Sequence, residues 1–153
     1  MYKRQALPSG FNADPAIACL FGQGGSAVLY VSEAQINSDE FQGVARLRLS
    51  VSAIEEGDVP SAIEAIADTS STFDTEVRGQ FATGFSISTA EPLLTPWPAL
   101  AWFEAGNMLL LTSEGIDRSA VEEAAESAQE VSEADFLDPV SYTHLTLPTT
   151  SRV

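Results

Sequence analysis

Histidine and cysteine occur once each, and only seven basic side chains face 22 acidic ones along 153 residues. A single cysteine excludes an internal disulfide framework and any Cys-rich zinc site. The shortage of Lys and Arg, with a formal charge of −15, argues against nucleic acid as a partner, because phosphate binding needs clustered cations. No apolar run approaches the roughly 20 residues of a membrane-spanning helix. What is present points to a folded body. The apolar fraction is 44% and the mean hydropathy +0.04, which suits one globular domain and not an acidic disordered tail.

Both ends read as foreign to that domain. The run Val140-Ser-Tyr-Thr-His-Leu-Thr-Leu-Pro-Thr149 resembles the translation of a transposase adapter used in shotgun sequencing, and Met1-Tyr-Lys-Arg-Gln5 resembles the opposite strand of the same element. Residues 1–5 are therefore read as an artefactual leader and 139–153 as an artefactual tail, both expected outside the core with few contacts. Residues 6–138 form the single native domain, a metagenomic-type gene fragment cut at both ends. That insert holds four arginines, no lysine, no histidine and all 22 acids, a formal charge of −18. Such a composition also suits a high-salt organism, where surface carboxylates maintain solubility.

Within the insert, Ala16–Phe21 and Ser26–Val31 read as a hairpin around Gly22-Gln-Gly-Gly25. A dinucleotide loop would need glycine where Ala27 stands, and a helix where a second strand follows. Val44–Ala53 alternates, with Leu47, Leu49 and Val51 on one face and Arg46, Arg48 and Ser50 on the other, the arginines expected to pair with nearby acids. Asp58 is placed as the N-cap of a short helix with Pro60 in its first turn, its residues Val59, Ile63 and Ile66 facing a sheet. Glu76–Ile87 reads as one run of period two, with Phe81, Phe85 and Ile87 on one side and a bulge at Gly84. Thr89–Pro98, rich in proline, reads as a loop. Ala99–Glu104 and Met108–Ser113 form a second hairpin about Gly106. Asp117 then caps a helix running to about Val131, with Ile116 and Val121 as a hydrophobic staple and Val121, Ala124, Ala125, Ala128 and Val131 as its apolar stripe. The fold expected is α+β: a curved antiparallel sheet built of hairpins, with one long C-terminal helix and a short helix packed on it.

Catalytic chemistry has little to work with. The insert lacks the side chains for a histidine-based triad, a zinc–histidine site or a Schiff-base lysine. Cys19 sits in an apolar strand without a basic neighbour in sequence, so packing is its expected role. Acid pairs such as Glu55/Glu56 are expected by chance in so acidic a chain, and no run matches a calcium loop. No catalytic, cofactor-binding or metal site is expected. The aromatic residues are the remaining candidates. Trp102 and Phe103 alternate, so one of them faces the core. Trp97, between prolines, is a candidate exposed platform. The expected ligand or partner surface is the sheet face near Trp97, Trp102, Phe81 and Phe85, the competing reading being that Phe81 and Phe85 are core.

The series Leu7-Pro-Ser-Gly-Phe11, Val77-Arg-Gly-Gln-Phe-Ala82, Leu100-Ala-Trp102, Gly106, Leu109–Ser113 and Ala124-Ala-Glu-Ser127 resembles the LolA/RseB-like domains of lipoproteins and anti-sigma-factor ectodomains. Leu109 departs from that pattern, where an aromatic is common, and no transmembrane or zinc-binding anti-sigma segment accompanies it. The resemblance implies a curved antiparallel sheet with helices packed on it. It also implies a non-enzymatic binding or regulatory domain of an exported or cell-envelope protein, extracytoplasmic, taking a lipid, a peptide or an envelope protein. A structural or virion protein, or a fragment of an enzyme whose catalytic residues lie elsewhere, are the alternatives.

Overall fold

A computed structural model describes residues 2–4, 7, 10–12, 16–20, 25–37, 42–67, 71–87, 97–130 and 134. The chain runs through β1 (Tyr2–Arg4), β2 (Ile17–Leu20), β3 (Ser26–Val31), β4 (Ile36–Asn37), β5 (Gln42–Gly43) and β6 (Arg46–Ser52). A 3-10 turn at Glu56–Asp58 leads into α1 (Val59–Glu64), followed by β7 (Phe73–Val77), β8 (Gln80–Ser86), β9 (Pro98–Glu104) and β10 (Asn107–Glu114). The order closes with α2 (Arg118–Glu126) and β11 (Ala128–Glu130). Seven strands form one antiparallel sheet in the order β2-β3-β6-β10-β9-β8-β7. After β6 the chain crosses to the far edge through α1, then returns strand by strand until β10 lies against β6.

Alternation decides which side chains are buried. Leu49 and Val51 of β6 stand in register with Leu111 and Leu109 of β10, which in turn oppose Leu100 and Trp102 of β9, and Leu47 of β6 stands opposite Ser113. With Val28 and Tyr30 these apolar residues make one core, covered by Val121, Ala124 and Ala125 of α2. The alanines have no long side chain to hold the helix off, so it lies close to the sheet. On the opposite face Ile63 and Ala67 pack on Phe85, Ala99, Ala101 and Met108, with Val59 and Ile66 at the margin. Arg46 and Arg48 project to solvent, and Arg46 meets Glu114 at 3.2 Å.

The two hairpins foreseen in the sequence are both present, β2–β3 and β9–β10. Residues 22–24, in the expected glycine turn, lie outside the described residues, as do 88–96 of the proline-rich stretch. Asp117 caps α2 as expected, its Oδ1 accepting from Ala120 N–H at 2.9 Å, a bond worth about 1 kcal/mol in such positions. Ile116 and Val121 share the core beside it. Trp102 is buried and Phe103 half-buried, as their alternation requires.

The long C-terminal helix is the main correction. α2 has nine residues and ends at Glu126, and Ala128–Glu130 turns back into a strand, so the architecture is mostly sheet with two short helices. The helical spacing does continue in sequence through Ala128, which is buried. What stops the helix is capping: Ser127 Oγ donates to Ala124 O at 2.9 Å, and the Arg78 guanidinium takes the carbonyl of Ala125 at 2.7 Å. Val131 lies outside the described residues.

Three smaller expectations also change. The run Glu76–Ile87 is broken by a two-residue turn at Arg78-Gly79, both with positive φ, making β7 and β8 a third hairpin. Gly84 is no bulge, since register runs unbroken through it from Phe73 to Leu100. The glycine instead makes room for the Phe73 ring, which a Cβ there would overlap. Asp58 occupies the N-cap position of α1 but is itself in helical conformation and makes no capping bond, because the preceding 3-10 turn already winds the backbone. At the N-terminus, Tyr2–Arg4 pairs with β11, from Tyr2↔Glu130 to Arg4↔Ala128, so the expectation of few contacts does not hold for residues 2–4. Residues 139–153, including Leu145 and Leu147, lie outside the described residues.

Candidate binding groove

The crossover helix α1 covers only part of its face of the sheet. Ala99 and Ala101 on β9 are small enough for Ile63 and Ala67 to settle on them, which seats the helix over β8 and β9. Its exit is fixed by the Ala67↔Ile87 bridge and by Ser86 N–H donating to Ser71 Oγ at 2.8 Å. Between this helix and the ends of β7, β8 and β9 an open groove of about 540 Å³ remains. Val59, Pro60 and Ile63 line it from α1, and Thr83, Ala101 and Phe103 from the sheet. Phe81 stands at its outer side with 65% of its surface exposed; the other large exposed apolar residues of the described chain, Ile17 and Leu20, lie far from it on β2, at the opposite edge of the sheet.

The groove is apolar inside and acidic around. Glu56 and Glu64 flank it at the two ends of the helical segment, and Asp74 on β7 borders it from the sheet edge. Glu76 is paired in register with Phe81, which places a further carboxylate on the same face. All four are exposed. The ion pairs among the described residues are Arg46–Glu114, Arg78–Glu104 and Arg118–Glu122, and none involves these acids. No Lys or Arg lines the groove.

The four aromatic residues singled out in the sequence have separate fates. Phe81 is at the groove. Phe85, four residues on and on the same face, is buried beneath α1 at 1% exposure. Trp102 borders the groove from β9, but its side chain belongs to the core beneath α2, with the Arg78 guanidinium 5.8 Å from the ring centre. Its Nε1 is buried with no hydrogen-bond partner among the described residues. Trp97 is half-buried just before β9 and does not line the groove. Sequence reasoning missed Phe103, the α1 wall and the acidic rim as one site. The apolar face of α1 and the alternation of Phe103 were visible, but nothing local says that they meet.

Cys19 is half-buried on the edge strand β2. Among the described residues no three His, Cys, Asp or Glu side chains converge as a metal site, and no helix is long and apolar enough to cross a membrane. Comparison with protein families, curated proteins and solved structures finds no match to this chain.

Proposed function

We propose that the protein is a non-enzymatic binding or regulatory domain, and that the groove between α1 and the β7–β9 ends is its binding site. The observation that carries this reading is the groove itself: about 540 Å³ of open apolar concavity beside a phenyl ring left 65% exposed. Ligand sites are of this size, largely preformed and mostly apolar. Leaving about two-thirds of a phenyl ring exposed forgoes about 1–2 kcal/mol of burial, which a bound partner would recover. Support for a non-enzymatic role comes from the lining, where acids and threonines stand without a histidine, lysine or arginine to activate a nucleophile. The resemblance to LolA/RseB-like domains supports a lipid, peptide or envelope-protein ligand and an exported or cell-envelope setting.

The test uses N-phenyl-1-naphthylamine, an uncharged fluorescent apolar probe. Binding one probe per chain, with Phe81→Ser weakening it at least tenfold, supports the reading. No binding, or binding indifferent to Phe81→Ser in a variant of unchanged circular dichroism, overturns it.

A further inference from the structure

We infer that the occupant of the groove is a basic polypeptide segment, its apolar side chains set between Phe81 and α1 and its Lys or Arg side chains over the carboxylates on either side. This rests on the groove being a binding site and adds the chemistry of what it takes. Charge complementarity carries it. Glu56 and Glu64 stand on one side, Asp74 and Glu76 on the other, all exposed and none in an ion pair among the described residues. Every arginine among residues 6–138 lies elsewhere: Arg46 and Arg48 on β6, Arg78 at the β7–β8 turn and Arg118 on α2. The arginines nearest the groove, Arg78 and Arg118, lie against the Trp102 and Phe73 rings and are each paired with an acid, Glu104 and Glu122. The charged residues that line the groove, Glu56, Glu64 and Asp74, are all negative, and an anionic headgroup such as a fatty acid or phosphatidylglycerol would meet repulsion on entry.

Spacing favours a polypeptide over a single cationic headgroup. Glu56 and Glu64 are eight residues apart along a helical segment, roughly 12 Å at 1.5 Å per residue. Asp74 and Glu76 are two apart on a strand, roughly 7 Å. One headgroup cannot answer charges spread over both lines, whereas a chain with basic residues at intervals can. The apolar floor supplies the second requirement, because Val59, Pro60, Ile63, Phe81 and Phe103 give such a segment somewhere to bury its hydrophobic side chains.

The experiment titrates the full chain with the heptapeptide Lys-Leu-Lys-Phe-Lys-Leu-Lys, with its analogue carrying Glu in place of every Lys, and with oleate, following backbone amide shifts and heats of binding. The expected result is binding of the basic peptide at least tenfold tighter than of either comparison ligand, with shifts at Ile63, Phe81 and Phe103. Affinity should fall steeply with salt, since charges beyond about 8 Å are screened at 0.15 M. The double variant Glu64→Gln/Asp74→Asn should lose at least tenfold. Glu123→Gln/Glu130→Gln, with the same net charge but both changes away from the groove, should lose less than twofold. Equal losses in the two variants would mean attraction to overall charge and overturn the inference. So would a basic peptide no tighter than oleate or the acidic analogue. In that event, probe binding to the unaltered chain that still weakens at least tenfold in Phe81→Ser leaves the groove reading standing, while no probe binding, or binding indifferent to Phe81→Ser, removes both.

Discussion

Arg78 and Glu104, 26 residues apart, meet with Nη2 at 2.5 Å from Oε1. The same guanidinium donates to Ala125 O at 2.7 Å, and the Arg78 backbone N–H donates to Glu126 Oε1 at 2.9 Å. One turn residue thus fastens the β7–β8 turn to the β9–β10 hairpin and to the last turn of α2, where a cation also suits the helix dipole.

Arg78 does this from a φ of 49°, a region that favours glycine. Arg78→Ala should therefore cost about 2 kcal/mol, the charge-assisted bonds being reduced in worth by partial exposure. Arg78→Gly should cost about 1 kcal/mol less, because it loses the same bonds but relieves the backbone. Urea unfolding of the two variants measures the difference, and an Arg78→Gly protein no more stable than Arg78→Ala contradicts it.

Gly84 lies where the Phe73 ring packs, and the Arg118 guanidinium sits 3.8 Å from that ring's centre. Gly84→Ala should cost about 1–3 kcal/mol through overpacking. In a Phe73→Ala background the same change should be neutral or better, since alanine is less costly than glycine within a strand once the ring is gone. A double-mutant cycle by chemical denaturation reads this coupling directly.

The β9–β10 turn holds Ala105 at φ 51° before Gly106 at φ 81°. Asparagine followed by glycine is the strongest pair for such a turn. Ala105→Asn should raise stability by about 0.5–1 kcal/mol, measured as a higher thermal midpoint. A lower midpoint would reject the turn assignment.

Phe81 and Phe85 share a face but not a role. Phe85→Ala should cost about 3–5 kcal/mol, as for a buried aromatic ring. Phe81→Ala should stay within about 0.5 kcal/mol. Comparable losses would mean that Phe81 is packed in solution.

What could be read in advance was whatever local pattern decides. The alternation of Leu47, Leu49 and Val51 requires one buried face, and Asp117 before an apolar stripe requires a helix start. What was missed depends on distant partners. The end of α2 is set by Arg78, 47 residues from the Ala125 carbonyl it takes, so the stripe through Ala128 looked like continuing helix. The Arg78-Gly79 turn shifts the alternation by one residue, so that Val77 shares a face with Gln80 and Ala82 and not with Phe81; Arg-Gly carries no strong turn signal to mark the shift. Phe81 was legible as a candidate, but the groove exists only because the crossover carries Val59, Pro60 and Ile63 above it.

The sheet is two meanders joined along one seam. β2, β3 and β6 lie together on one side, β7 to β10 on the other, and the pairing of β10 with β6 holds them, ending at Arg46 and Glu114, 68 residues apart. Each half can zip from hairpins that close within roughly 1–10 μs, but the seam must first close a long loop whose entropy nothing local repays. Refolding speed is therefore governed by the meeting of two preformed ladders and not by the hairpins. Were the covalent crossing through α1 severed, that rate-setting event would become bimolecular, and recovery of the native sheet would depend on concentration.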